Sequence, residues 1–144
     1  MSKIDRLRPL KVRSMWISDV HLGFRGCQAD FLLDFLQSVE CRQLYLVGDI
    51  LDLWAMKGGL FWPQAHNDVV RAVFDKAKSG TQVIYVPGNH DDPFRDHVGM
   101  ELGPVTVRDE IVHTTADGRR FLVLHGDKFD QVVQCQPWLA VLGA

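Results

Sequence analysis

Aspartate, asparagine and histidine residues occur in four short polar clusters, and each cluster directly follows an apolar run. The clusters are Asp19-x-His21, Gly48-Asp49-x-x-Asp52, Gly88-Asn89-His90-Asp91 and His125-Gly126-Asp127. Carboxylate, carboxamide and imidazole groups together suit Mn²⁺, Fe²⁺ or Zn²⁺. Two such ions about 4 Å apart can share a bridging carboxylate and a bridging hydroxide that attacks phosphorus. The residue types therefore indicate a metal centre and phosphoester chemistry.

The apolar runs before these clusters have the composition of buried strands. They are Met15–Ile17, Leu44–Val47, Val83–Val86 and Phe121–Leu124. The third run is β-branched and aromatic, and Pro87-Gly88 ends it sharply. In open α/β sheets, ligands bind at the carboxyl ends of the strands. We therefore expect the four clusters to meet in one pocket at that edge.

Two segments between the strands have the periodicity of amphipathic helices. Their stripes consist of Phe31, Leu32, Phe35, Leu36 and Val39, and of Val69, Val70, Val73, Phe74 and Ala77. Strands that alternate with helices predict right-handed parallel βαβ units, and hence an α/β fold. From Val105 onward, short apolar runs and a turn at Asp117-Gly118 predict antiparallel or mixed strands.

The composition is that of one soluble globular domain, with 144 residues, 47% hydrophobic residues and a net charge of −2. No apolar run approaches the roughly 20 residues of a membrane span, and no signal peptide is recognisable, which predicts a cytoplasmic protein. The three cysteines lack CxxC spacing and are interpreted as reduced thiols. Neither GxGxxG nor a Walker motif occurs, which excludes the corresponding nucleotide-binding folds. Basic and aromatic residues are not interleaved, so no nucleic-acid partner is expected.

Both ends of the chain have a distinct composition. Residues 1–12 are predicted to be a basic N-terminal extension, either solvated or in contact with an anionic membrane surface, ahead of a core at residues 13–144. The last run contains Trp138, Leu139, Val141 and Leu142. Such an apolar tail predicts self-association, or the point at which a longer protein has been cut.

The four clusters, in this order on successive strand ends, closely resemble the motifs of the calcineurin-like metallophosphoesterases over residues Met15 to Asp130. The resemblance implies a core of βαβ units in which a sheet sandwich is flanked by helices. It also implies two divalent metal ions, with Mn²⁺ favoured and Fe²⁺ or Zn²⁺ as alternatives. Asp19 and His21 would bind the first ion, Asp49 would bridge both, and Asn89 and His125 would bind the second.

The same resemblance assigns catalytic roles to His90 and Asp52. His90 would face the scissile phosphate and donate a hydrogen bond or proton to the departing oxygen, while Asp52 orients its ring. Arg25, Arg95 and Trp54 are the candidate substrate contacts, the two arginines as phosphate clamps. Asp91 and Asp127 are expected to have structural or outer roles at the site, and His66, His97 and His113 structural or exposed ones.

Within the family, the segments "GDILDLW", "VPGNHDD" and "HGDKFD" are similar to the branch of bacterial UDP-2,3-diacylglucosamine hydrolases. That branch cleaves a pyrophosphate bond in lipid A synthesis, which implies a phosphorylated glycolipid substrate and a peripheral position at the inner membrane. The apolar segment between Asp52 and His66 is expected to be a loop, used either as an acyl-binding lip or for packing.

The sequence departs from the family pattern after His125, because no Gly-His-x-His motif follows. The resemblance then implies a core incomplete at its C-terminus, lacking two metal ligands, and weak or absent activity of these 144 residues. Two alternatives remain open. One is a phosphodiesterase or phosphatase acting on nucleotides or phosphoproteins, and the other is a non-catalytic metal-binding or assembly module.

Overall fold

A computed structural model of the chain describes residues 9–130. The helices are α1 (Ala29–Ser38), α2 (Leu53–Lys57) and α3 (Gln64–Lys78), and a 3₁₀ helix spans Asp92–His97. The strands are β1 (Leu10–Ile17), β2 (Val39–Val47), β3 (Gln82–Val86), β4 (Glu101–Leu102), β5 (Val105–Val107), β6 (Ile111–Thr114) and β7 (Arg120–Val123). The predicted apolar tail from Trp138 to Leu142, and most of the predicted N-terminal extension, lie outside the described residues.

The described strands form a five-stranded sheet and a separate hairpin. The sheet has the order β1-β2-β3-β5-β4; its described pairs are parallel except for β4 with β5, which is antiparallel. The hairpin pairs β6 with β7. The predicted α/β class with parallel βαβ units is therefore confirmed, as is the change to mixed pairing after residue 105.

The central strands are apolar on both faces because each face of the sheet is covered. On β2 and β3, Leu44 and Val83 pack with the helices, whereas Tyr45 and Ile84 pack with Val123 of the hairpin. Successive side chains of a strand point to opposite faces, so a continuous apolar run supplies both cores. The result is a sandwich with α1 and α3 on one side and β6–β7 on the other, which leaves the strand ends free to carry polar residues.

Two local features differ from the sequence-based expectation. Val39 was expected on the stripe of the first helix, but it begins β2 and pairs with Leu10, since a β-branched residue is better accommodated in a strand. The segment after Asp52 was expected to be a loop, but it contains α2, whose first turn is capped by the Asp52 carboxylate at 2.8 Å from the Ala55 amide nitrogen. The strand β1 begins at Leu10, ahead of the predicted core boundary.

The longest helix in the part of the chain that the structure describes is α3, with 15 residues. Among residues 9–130, no helix is long and apolar enough to cross a membrane.

Candidate metal centre

The polar clusters after β1, β2 and β3 lie at one edge of the sheet because their backbones are hydrogen-bonded to one another. The Asp19 amide donates to the Gly48 carbonyl at 3.1 Å, and the His21 amide donates to the Asp49 carbonyl at 2.9 Å. The Gly48 amide in turn donates to the Val86 carbonyl at 2.6 Å. The three strand ends are thus fixed relative to one another before any side chain is considered.

Three of the predicted metal ligands have left-handed backbone conformations. Asp19, His21 and Asp49 have φ angles of 54°, 55° and 54°. Such a conformation costs of order 1–3 kcal/mol for a residue other than glycine and persists only where surrounding contacts enforce it. Here the cross-strand hydrogen bonds enforce it, and the turns direct the side chains into the shared edge. Sequence reasoning did not anticipate this strain, although aspartate and histidine adopt left-handed conformations more often than most other residues with a side chain.

Oxygen and nitrogen donors converge at this edge in two overlapping groups. Ligand atoms of Asp19, His21 and Asp49 lie within 4.8 Å of one another, and so do those of His21, Asp52 and His90. His125 extends the first group, with its Nε2 3.7 Å from an Asp49 oxygen and 4.0 Å from an Asp19 oxygen. Two carboxylates with two imidazoles form a donor set that fits a divalent transition ion.

Asp52 holds two of the imidazoles at once. Its oxygens lie 3.1 Å from Nδ1 of His21 and 3.0 Å from Nδ1 of His90. Burial raises the pKa of Asp52, but hydrogen bonds from His90, the Ala55 amide and His21 outweigh burial and bring the pKa below its ordinary value. An ionised carboxylate only accepts hydrogen bonds, so both rings carry a proton on Nδ1 and direct Nε2 away from Asp52. Sequence reasoning linked Asp52 to His90 alone, and the structure adds His21.

His125 is oriented in the same way by a second carboxylate. Its Nδ1 lies 2.9 Å from Asp127, and Asp127 also accepts a 2.6 Å hydrogen bond from Arg95. Burial raises the pKa of Asp127, but the bonds from Arg95 and His125 outweigh burial and hold the pKa below its ordinary value. The carboxylate is therefore ionised, and Nε2 of His125 faces Asp49.

Asp91 is fully buried and supports the strand ends from beneath. Its carboxylate accepts hydrogen bonds from the backbone amides of Asp49, Ile50, Leu51 and Gly88, at 2.6 to 3.3 Å, and from the Tyr85 hydroxyl. Burial, with the nearby charge of Asp91, raises the pKa of Tyr85, so its hydroxyl stays protonated and donates. Asp91 consequently ties the loop after β2 to the loop after β3.

Asn89 and His90 follow Gly88 at the end of β3 and are both half-buried. The His90 amide donates to an Asp49 oxygen at 2.9 Å, so the proposed bridging carboxylate is itself anchored to this loop. Gly88 is required for that approach, because a Cβ at this position would lie 2.4 Å from the Asp49 carboxylate and 2.8 Å from its amide nitrogen. Asn89 therefore lies between Gly88, where only glycine fits, and His90, the candidate proton donor.

The three predicted substrate contacts have different environments. Trp54 is 54% exposed, and its ring lies 4.1 Å from that of His90 between centroids. Arg25 stacks over the Phe61 ring at 4.5 Å. Arg95 donates to Asp92, Asp127 and the Pro87 carbonyl, and its side chain is only 18% exposed. The terminal nitrogens of Arg95 are thus already hydrogen-bonded within the protein.

The remaining described histidines belong to neither group of candidate metal donors. His66, at the start of α3, accepts a 3.0 Å hydrogen bond from the Gly23 amide at Nδ1. His113 is buried and lies 2.9 Å from the Tyr45 hydroxyl. His97 is near Met100 on the surface.

We predict that His66 makes the stability of the fold pH-dependent. Burial lowers the pKa of His66 from its ordinary value of 6.5, and Asp30 opposes this only in part. As the pH falls through about 6.5, the unfolded state therefore binds the proton first, and the folded state loses stability until its own lower pKa is reached. His66→Asn retains an acceptor for Gly23 but does not titrate. Urea unfolding between pH 8 and 5 should show wild type losing more stability than His66→Asn on acidification, and parallel pH curves would contradict the prediction.

A sheet sandwich with aspartate and histidine donors gathered at the carboxyl edge defines the class of α/β proteins that build metal centres on strand ends. Comparison with known protein families identifies the family of this chain. The sequence model of the calcineurin-like phosphoesterase family matches residues 12–141, and the chain belongs to this family. The resemblance drawn from the ordered polar clusters is thereby confirmed.

The chain is also similar to individual proteins. It is 27% identical over 141 residues to UDP-2,3-diacylglucosamine hydrolase of Vibrio atlanticus (strain LGP32), covering 89% of this chain and 56% of the relative. It is 29% identical over 119 residues to the enzyme of the same name from Chromohalobacter salexigens, covering 79% and 46%. Among solved structures it resembles nuclease MPE of Pseudomonas putida, with a TM-score of 0.40, 21% identity and coverage of 66% and 46%. The chain spans about half the length of these curated relatives.

Proposed function

We propose that this chain carries the metal site of a hydrolase that cleaves phosphoester or pyrophosphate bonds. One observation carries the proposal: Asp19, His21 and Asp49 place ligand atoms within 4.8 Å of one another, and His125 Nε2 lies 3.7 Å from Asp49. These four residues come from three separate strand ends, and the two histidines are held by carboxylates behind them. Surface clusters of acidic residues lack such support, so a purpose-built metal site explains the arrangement better.

Asp19 and His21 would hold a first divalent ion, Asn89 and His125 a second, and Asp49 would bridge them, with Mn²⁺ as the favoured metal. Such ions supply Lewis-acid polarisation of the phosphoryl group and activation of water. Asp49 is suited to the central position because it is buried and anchored by the His90 amide. Asp19 is 60% exposed and lies on the open side of the site, where substrate would enter.

The reaction also needs a group that meets the departing oxygen, and two contacts support His90 as that group. Asp52 fixes its Nδ1, which leaves Nε2 directed away from that carboxylate. The Trp54 ring packs against the imidazole and restricts its rotation. We propose that His90 donates a hydrogen bond or proton to the leaving oxygen, with Asp52 as its positioning residue.

For the substrate, we propose UDP-2,3-diacylglucosamine or a related nucleotide-linked glycolipid. The curated relatives named above carry this activity in their names, and the exposed Trp54 offers apolar surface beside His90. A cytoplasmic protein working at the inner membrane fits that substrate and belongs to the same proposal. The domain boundary at residue 13, with a basic extension before it, stays a prediction.

Asp49→Asn is expected to reduce Mn²⁺ affinity by more than about 100-fold, since removing even a residue behind a metal ligand costs about 10- to 100-fold. Isothermal titration of the full chain with Mn²⁺ measures this directly. Hydrolysis of bis-p-nitrophenyl phosphate should fall in parallel. Asp117→Asn is the matched control, because Asp117 is an exposed partner of Arg119 in the hairpin turn. Equal Mn²⁺ affinity in wild type and Asp49→Asn would refute the metal assignment.

Substrate class is tested separately with wild-type protein. Turnover of UDP-2,3-diacylglucosamine in preference to nucleotides or a phosphoprotein would support the glycolipid proposal, and the opposite preference would select the phosphodiesterase or phosphatase alternative. Mn²⁺ binding without turnover of any substrate would favour a metal-binding module.

A further inference from the structure

Arg95 lies behind the candidate metal centre, on the 3₁₀ helix that follows the β3 cluster. Its guanidinium is mostly enclosed, with Nη1 2.6 Å from Asp92 and Nη2 2.6 Å from Asp127. Nη2 also donates to the Pro87 carbonyl at 3.1 Å. An arginine that binds phosphate needs N–H donors that face solvent. In Arg95, both terminal nitrogens are instead hydrogen-bonded within the protein.

The position of Arg95 combines one unfavourable contact with several favourable ones. Its Nε is buried and has no hydrogen-bond partner among the described residues, the nearest carboxylate being Asp109 at 3.7 Å. An unpaired buried donor destabilises the fold. The short bonds to Asp127 and Asp92 offset that cost, and they can only form if the guanidinium stays in this place.

Asp127 connects Arg95 to the metal centre. One of its oxygens accepts from Arg95, and the other accepts from Nδ1 of His125 at 2.9 Å. Arg95 therefore fixes the carboxylate on one side while the imidazole is held on the other, and Nε2 of His125 faces Asp49 at 3.7 Å. The sequence gives no sign of the contact from Arg95, because Arg95 lies 32 positions from Asp127 and matches no metal motif.

We propose that Arg95 is a positioning residue that sets the tautomer and orientation of His125 through Asp127. This rests on the proposed function, since His125 is useful in that orientation only as a metal ligand. Arg95 would keep the Asp127 carboxylate in one position, and Asp127 would accept the Nδ1 proton of His125. Nε2 would then be unprotonated and ready to bind a divalent ion.

The tautomer is measurable without any metal. In a ¹⁵N-labelled, metal-free chain at mildly alkaline pH, long-range ¹H–¹⁵N correlation spectra should show His125 of wild type protonated on Nδ1. Arg95→Met, which keeps the length of the side chain and removes its charge, should shift His125 toward a mixture of both tautomers. Arg119→Met is the matched control, because Arg119 pairs with Asp117 in the hairpin turn, and it should leave His125 unchanged. A wild-type His125 spectrum in Arg95→Met would overturn the proposal.

A double-mutant cycle then tests the consequence for metal binding. Arg95→Met should weaken Mn²⁺ binding by about 10-fold or more when His125 is present, as expected for a residue that supports a ligand. In a His125→Ala background, the same substitution should have almost no effect on Mn²⁺ affinity. An equal loss in both backgrounds would mean that Arg95 only stabilises the fold, which contradicts the proposal.

Two further variants keep the outcome interpretable. Arg95→Lys retains the charge and should give an intermediate tautomer population, and it replaces Arg95→Met in both experiments if the latter does not fold. Should wild type itself fail to bind Mn²⁺, the proposed function fails, while the metal-free spectra still decide whether Arg95 controls His125.

Discussion

Asp91→Ala is expected to lower the free energy of unfolding by about 4 kcal/mol or more, since each buried donor left without an acceptor costs about 1–3 kcal/mol. The fully buried carboxylate is the acceptor for four backbone amides and for the Tyr85 hydroxyl. Water can reach only some of these groups after the substitution. A loss of this size is a large part of the roughly 5–15 kcal/mol that stabilises a typical domain.

Urea unfolding followed by circular dichroism measures this effect. Asp92→Ala is the matched control, because Asp92 is the next residue along the chain but its side chain is 60% exposed and bonded to Arg95. It should cost less than about 1 kcal/mol, as surface ion pairs do. Asp91→Asn retains one acceptor oxygen and should lie between the two, which keeps the comparison possible if the alanine variant does not fold. Equal losses in the Asp91 and Asp92 alanine variants would contradict the role assigned to Asp91.

The reason for so large an effect lies in the position of the five donors. Asp49, Ile50 and Leu51 belong to the loop after β2, whereas Gly88 and Tyr85 belong to the end of β3. Asp91 therefore replaces strand pairing at the point where the sheet ends and the ligand-bearing loops begin. We expect Asp91→Asn, if folded, to weaken Mn²⁺ binding also, although Asp91 belongs to neither group of candidate metal donors.

The strands and the gathering of polar clusters were predictable from the sequence because both follow from local patterns. Apolar runs such as Val83–Val86 define buried strands, and parallel βαβ units place their carboxyl ends at one edge. The start of β2 was misjudged because Val39 continues the spacing of the helical stripe, and only its pairing with Leu10 reveals a strand. The helix α2 was not predicted because its five residues are too few to show a helical periodicity.

The hydrogen bonds that hold the candidate metal ligands in place could not be predicted from the sequence. Asp52 holds His21 as well as His90, and the residues concerned are 31 and 38 positions away from Asp52. The hydrogen bond between Arg95 and Asp127 joins residues 32 positions apart. Such contacts depend on how loops fold over the end of the sheet. The type of a polar residue alone does not determine which residue becomes its hydrogen-bond partner. The left-handed backbones of Asp19, His21 and Asp49 are a consequence of the same loop packing.

His90→Gln is expected to lower kcat by about 10²- to 10⁴-fold while leaving Mn²⁺ affinity nearly unchanged, because proton transfer by a positioned side chain contributes a factor of that size. Glutamine is of similar length and can still contact Asp52, but it cannot transfer a proton. The defect should depend on the leaving group. An alkyl phosphoester needs its departing oxygen protonated, whereas p-nitrophenolate leaves readily as an anion, so the variant should be impaired much more on the alkyl substrate.

The measurement also separates two roles that the geometry alone leaves open for His90. His21, Asp52 and His90 place ligand atoms within 4.8 Å of one another, so the same ring could instead bind an ion. A metal ligand would show itself by a fall in Mn²⁺ affinity and by equal loss of turnover on both substrates. The proton-donor role requires intact Mn²⁺ binding and a leaving-group-dependent defect.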